Sequence, residues 1–79
     1  MNERPDIIIE DTLAHLADER FAGYLAHAFC RRGYSTFTFN NQQFRFEMGD
    51  CLILSRCDLV RNIVQSPDFV VDVVYVTQE

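Results

Sequence analysis

The sequence YSTFTFNNQQFRFE (residues 34–47) decides the fold of this chain. Four phenylalanines in it alternate with polar residues: Phe37, Phe39, Phe44 and Phe46. Such alternation is typical of strands with one buried face. Asparagine tolerates a positive φ, so Asn40-Asn41 predicts a two-residue type I′ turn between two strands. The predicted register pairs Phe37 with Phe44 and places all four rings on one face, whereas a three-residue loop would mix the faces.

Short apolar segments separated by turn residues continue on both sides of this hairpin. Turns are predicted at Met48-Gly49-Asp50 and Ser66-Pro67-Asp68. The other predicted strands are Ile7–Ile9, Phe21–Cys30, Cys51–Leu54, Leu59–Val64 and Phe69–Thr77. Residues 10–20 fit a short helix or an irregular strand equally well. The pattern predicts an all-β fold, an antiparallel barrel or sandwich, with at most one short helix near the N-terminus.

The length and composition predict one small domain that spans residues 1–79. A hydrophobic fraction of 48% is ample for a core and argues against disorder. A domain of this size buries only about 60% of the surface that its unfolded chain exposes, so a partner, metal or disulfide often adds stability. The seven Phe and three Tyr rings suggest that apolar surface remains for a partner or ligand.

The charge balance disfavours nucleic acid as a direct partner. The net charge is −5, with seven Arg and no Lys among the basic residues. A protein that binds nucleic acid by itself neutralises phosphates with clustered cations. The nearest equivalent here is the single pair Arg31-Arg32, which with Gly33 indicates a solvated turn at a strand end.

Cysteine usage predicts a reducing, cytoplasmic setting with three free thiols. Cys30, Cys51 and Cys57 form an odd set without a C-x-x-C pair. Met1 to Asp6 contain no cationic segment followed by a long apolar run, and Ile7–Ile9 is too short to cross a bilayer. We therefore expect no membrane association. Cys30 and Cys51 lie in apolar runs, which predicts that both are buried.

The titratable residues do not form a recognisable catalytic or metal-binding motif. His15 and His27 are twelve positions apart, and no H-x-H, H-E-x-x-H or Cys/His cluster exists. His27, between Ala26 and Ala28, is predicted to be a partly buried structural residue. No nucleophile elbow or glycine-rich loop is present, and Cys57 has only Arg56 as a neighbouring cation. The sequence predicts no metal, no cofactor and no enzymatic activity.

The order of motifs resembles a known family. The hairpin followed by MGDCLIL (residues 48–54) resembles the cupin core, where a Gly-Asp turn leads into an apolar strand that lines the barrel. NIVQSPDF (residues 62–69) and the valine-rich strand after it are similar to the amino-terminal domains of AraC-type transcription regulators. The resemblance covers residues 21–79. Relatives commonly have a proline where this chain has Ser55-Arg56, and they continue into two helix-turn-helix motifs that are not present here.

The resemblance implies a cupin-like barrel or half of a jelly roll that senses a ligand and dimerises. The chain would be a fragment of a regulator or a free-standing remnant of one, without the DNA-binding part. Its effector would be a sugar or another metabolite. The resemblance also implies the metal-free sensory branch, because the His-x-His, Glu and later His of metal-binding cupins have no counterpart. The four phenylalanines would form the inner face, either lining a ligand cavity or packing as ordinary core.

Two alternatives to the sensor interpretation stay open: a small metal-free cupin-type enzyme and a structural interaction domain. We also predict a homodimer, because Phe69–Thr77 is apolar on both faces and would be an aggregation hazard at an open sheet edge. In the monomeric alternative, Ile7–Ile9 folds back and covers that edge.

Overall fold

A computed structural model describes residues 5–78 and contains seven strands in two antiparallel sheets. The strands are β1 (Ile7–Glu10), β2 (Tyr24–Arg32), β3 (Tyr34–Phe39), β4 (Gln42–Glu47), β5 (Cys51–Leu54), β6 (Val60–Gln65) and β7 (Val70–Thr77). Two single-turn 3₁₀ helices lie at Glu19–Phe21 and Cys57–Leu59. Over residues 5–78 there is no α-helix, so the fold is all-β as predicted.

The two sheets formed by residues 5–78 face each other and do not close into a barrel. The first, sheet A, has the strand order β1-β7-β2-β5, and the second, sheet B, has the order β4-β3-β6. In sheet A β2 pairs with β7, and in sheet B β3 pairs with β6. The consecutive strands β2 and β3 thus pair with two later strands in reverse chain order. This nested pairing fits the jelly-roll alternative of the prediction, in which one ribbon of strands folds over on itself.

The predicted hairpin is confirmed, including its register. Phe37 pairs with Phe44 and Thr38 with Gln43. Asn40 and Asn41 have φ values of 50° and 69°, the left-handed geometry of a type I′ turn. Strand alternation then places the four phenylalanines on the face of sheet B that points toward sheet A. The local sequence was sufficient here because both the turn and the alternation favour a single register.

Residues 11–21 form neither of the two elements left open by the sequence. They run through turns into the 3₁₀ helix and bury three apolar side chains, Leu13, Leu16 and Phe21. The amide oxygen of Gln65, in β6, accepts hydrogen bonds from the Leu13 N–H (3.0 Å) and the Thr12 hydroxyl (3.2 Å). The predicted strand Phe21–Cys30 therefore begins only at Tyr24, since Phe21 belongs to this segment and packs as core.

The position of β7 corrects the open-edge prediction. β7 lies inside sheet A, between β1 and β2, and Ile7 to Glu10 pair with Val76 to Val73 along its outer side. The monomeric alternative, in which the amino-terminal strand covers this edge, describes the observed pairing. Residues 71, 73 and 75 point into the core, while 70, 72, 74 and 76 point away from it. Any dimer must therefore use a surface other than the edge of β7.

Strand alternation also corrects two predictions of burial. Ala26 and Ala28 point into the core, which turns His27 outward, and it is exposed rather than partly buried. In β5 the inward positions are Leu52 and Leu54, so Cys51 is exposed. The period of two, and not the apolar character of the surrounding run, decides which side chain is covered.

The three thiols should differ in reactivity. Cys30 and Cys57 are buried, and burial raises the pKa of both thiols, whereas Cys51 is exposed. Because the thiolate is the reactive form, we expect one thiol per native chain to react rapidly with Ellman's reagent, and the other two about tenfold or more slowly. Three should react in denaturant. A Cys51→Ser variant that kept the rapid phase would contradict this assignment.

Candidate functional site

The two sheets part between their edge strands β4 and β5 and leave an apolar groove with a cavity volume of about 220 Å³. Six residues line it: Phe37, Phe39, Phe44, Leu52, Ile53 and Leu54, of which Ile53 is 65% exposed and lies at the outer rim. Three come from the hairpin of sheet B and three from β5 of sheet A. The groove thus lies where the inner faces of the sandwich become accessible to solvent.

A tight turn places β4 and β5 on the same side of the sandwich. The chain crosses from sheet B to sheet A through Met48-Gly49-Asp50, where Gly49 has a φ of 91°. The Asp50 carboxylate accepts from the Glu47 N–H at 3.0 Å, and the Asp50 N–H donates to the Glu47 carbonyl at 2.9 Å. On the opposite side, between β1 and β6, residues 11–21 occupy the equivalent space. Among residues 5–78, the groove is therefore the side that no connection between strands covers.

The three groove phenylalanines differ in depth. Phe37 is 2% exposed and forms the floor, Phe39 is half-buried, and Phe44 is 42% exposed at the rim. The Phe37 and Phe44 centroids are 6.0 Å apart with an interplanar angle of 25°, and those of Phe39 and Phe44 are 6.4 Å apart at 64°. Both distances lie in the favourable range for aromatic pairs. The three rings therefore pack against one another along one wall of the groove.

Phe46 does not line the groove, although the sequence grouped it with the other three. It is 3% exposed and packs edge-on against Phe69, with ring centroids 6.3 Å apart. The alternation placed it correctly on the inner face but could not say where along that face the sheets diverge. The β5 wall was missing from the predicted set. Its sequence signal was the apolar run after the Gly-Asp turn, which in cupins lines the barrel.

The chemistry of the lining is that of a binding surface. None of the six lining side chains is an acid, a base or a nucleophile. Over residues 5–78, the groove-side edges of β4 and β5 have no strand paired to them. Their backbone N–H and C=O groups can therefore hydrogen-bond to a bound molecule at the rim. The arrangement suits an apolar molecule that carries a polar group at one end.

A separate polar cluster lies at the start of residues 11–21. His15 Nδ1 is 3.0 Å from Glu10 Oε1, and the Arg20 guanidinium donates to Glu10 Oε2 at 3.1 Å. The Thr12 hydroxyl beside it already donates to Gln65, so it is not presented as a nucleophile. These contacts provide partners for the largely buried Glu10 carboxylate and hold residues 11–21 against β1. Within residues 5–78 no group of three or more His, Cys, Asp or Glu could hold a metal ion.

The comparisons with known proteins identify no relative. No protein-family model matches this chain, and no curated protein or solved structure matches it either. The resemblance to AraC-type regulators accordingly stays a prediction. Among the described residues, no helix has the length and apolar character needed to cross a membrane.

Proposed function

We propose that this chain is a non-catalytic ligand-sensing module whose inter-sheet groove holds a small apolar molecule. The observation that carries the proposal is the groove itself, lined by three hairpin phenylalanines and three apolar β5 residues without a polar side chain among them. A binding role requires only such a preformed concave apolar surface, whereas an enzyme would need convergent polar groups.

The volume and lining of the groove favour an aromatic or aliphatic metabolite over a sugar. Ligand pockets commonly measure about 300–1,000 Å³, while an apolar cavity of about 150 Å³ already accepts a benzene ring. At about 220 Å³ the groove fits one ring or a short branched chain. A sugar would bury hydroxyl groups against carbon without hydrogen-bond partners, at a cost of about 1–3 kcal/mol for each group.

The AraC-type interpretation supplies the proposed biological setting. Two of the cupin-like motifs, the hairpin and the apolar strand after the Gly-Asp turn, border the groove, whereas residues 62–69, which carry the AraC-type resemblance, are not among its lining residues. In such a regulator the module would respond to its effector in the cytoplasm and pass the signal to a DNA-binding part elsewhere in the protein. Three cysteines without a disulfide fit that reducing compartment.

Binding can be tested with toluene as the probe and glucose as the comparison. We expect toluene to shift the backbone amide resonances of Phe37, Leu52 and Leu54 in ¹H–¹⁵N spectra, with a dissociation constant of about 1 mM. Glucose at the same concentration should leave them unchanged. Shifts from glucose at these amides, or none from toluene, would contradict the proposal.

A matched pair of variants locates the binding site. Phe44→Ala removes the rim ring and should weaken toluene binding about fivefold to tenfold, because one aromatic contact is lost. Tyr34→Ala serves as the control, since Tyr34 is a similarly exposed ring on the same hairpin, stacked under Arg45 outside the groove. Equal weakening by the two variants would show that the ligand binds elsewhere.

A further inference from the structure

The outer face of sheet A is a continuous apolar surface. Ile9, Val74, His27 and Ile53 lie side by side across all four strands, as the register of each strand pair shows. Ile7 lies beside Ile9, and Phe29 beside His27, on the same face. Ile7, Ile9 and Ile53 are 57%, 74% and 65% exposed. Soluble domains of this size seldom leave so many aliphatic side chains together in water unless a partner covers them.

The charges on this face are few and balanced. Arg31 donates to the Asp72 carboxylate at one end of the sheet, so these two charges neutralise each other. The His27 side chain, at the centre, forms no ion pair or hydrogen bond within residues 5–78. Arg32 is exposed at the same end of the sheet, where it pairs with Val70. With Asp72 paired to Arg31, the strands of sheet A within residues 5–78 present neither a cluster of free cations for anionic lipid headgroups nor a free carboxylate for a basic partner on this face.

We propose that a second copy of this chain packs on the outer face of sheet A around a twofold axis near His27. A largely apolar face with few charges can pack against its own copy, and twofold contacts between identical patches are the commonest way that chains associate. Two such sheets would stack face to face at about 10 Å, as in sandwich folds. The contact replaces the β7 edge as the basis of dimerisation. It shares Ile53 with the rim of the groove, while Ile9, Val74 and His27 lie outside the groove.

The size of the face predicts a reversible dimer. With strand spacings of about 4.8 Å and a rise of about 3.3 Å per residue, sheet A covers about 400 Å² in projection, and more once the relief of its side chains is counted. Two copies together therefore approach the roughly 1,000 Å² of the smallest specific interfaces. An interface of this kind corresponds to a dissociation constant of about 10–100 µM.

Sedimentation equilibrium on the full chain, from about 5 to 500 µM, tests the proposal. We expect a monomer–dimer equilibrium that Ile9→Lys weakens at least tenfold, because the ammonium group would be buried against the partner. Val64→Lys is the matched control, since Val64 is also exposed (57%) on an edge strand but belongs to sheet B. A monomeric wild type at the highest concentration, or equal weakening by both variants, would overturn the proposal.

Position 27 gives a second, independent measurement. His27→Val should tighten the dimer about threefold or more, whereas His27→Glu should abolish it, since a carboxylate would face its own copy near the axis. His27 is exposed in the single chain, so neither change removes a core contact, and circular dichroism would confirm folding. No change in either variant would place the contact elsewhere and refute the proposed face.

Discussion

Phe21→Ala is expected to lower the free energy of unfolding by about 3–5 kcal/mol, the cost typical of removing a buried phenylalanine. Phe21 is 1% exposed and its ring stacks on that of Tyr75, with centroids 3.7 Å apart and planes within 2° of parallel. It also meets the edge of Tyr24 at 6.0 Å. A chain of this length has roughly 4–12 kcal/mol in total, so the variant should be largely unfolded in mild urea.

The loss should spread through the segment that contains Phe21, because no strand pairing holds residues 11–21. The hydroxyl of Tyr75 is buried without a hydrogen-bond partner among residues 5–78, and burial raises its pKa, so it stays protonated while the ring contributes to the core. A cavity beside that ring would admit water.

Urea unfolding of Phe21→Ala and Phe44→Ala measures the effect, since removing the exposed Phe44 ring should lower the free energy of unfolding by only about 1 kcal/mol. Similar losses in the two variants would contradict the core role of Phe21.

Gly33→Ala is expected to lower the free energy of unfolding by about 3 kcal/mol or more, because a side chain at this position is incompatible with the local backbone and its neighbours. Gly33 has a φ of 72°, and a Cβ there would lie 2.5 Å from Ser66 Oγ and 2.6 Å from Asp68 Oδ1. It would also lie 2.9 Å from the Cα of Phe69, which cannot move without shifting β7. The left-handed backbone adds about 1–2 kcal/mol for a residue with a side chain. Both terms act at the point where the chain crosses from β2 to β3.

The crowding at Gly33 has a structural cause. The Ser66 hydroxyl accepts from the Tyr34 N–H at 3.0 Å and donates to Asp68 at 2.7 Å, while the Ser66 N–H donates to the Tyr34 carbonyl at 2.8 Å. This network joins two of the crossings between the sheets, the one from β2 to β3 and the one from β6 to β7. The Gly33→Ala substitution would disrupt these hydrogen bonds.

Gly49→Ala is the matched control for Gly33→Ala. Gly49 also has a positive φ, 91°, but a Cβ at this position would meet no atom of residues 5–78 within 4 Å, so only the conformational strain applies. We expect a loss of about 1–3 kcal/mol there in urea unfolding, smaller than at Gly33. An equal loss at the two positions would show that the contact with Ser66 and Asp68 is not responsible.

The local features of the fold were predictable from the sequence. The Asn40-Asn41 turn requires positive φ values that asparagine tolerates, and the alternating phenylalanines allow one register only, so the hairpin and its inner face follow from short-range rules. The Gly49 turn and β5 follow for the same reason. Three of the four residues proposed for the cavity therefore line the groove, because they share a face that a local pattern defines.

Only the tertiary structure decided which strands lie at the edges and where the sheets part. β7 has the composition of an interior strand, but its neighbours are distant in sequence, and the pairing with β1 spans nearly the whole chain. Phe44 and Phe46 are equivalent by periodicity, yet one is at the rim of the groove and the other in the core. The burial of residues 11–21 follows no regular period along the sequence, because the side chains of this segment fill the space between β1 and β6. Long-range pairing sets these features, since the free energy that selects them comes from surfaces that meet only after the chain has folded.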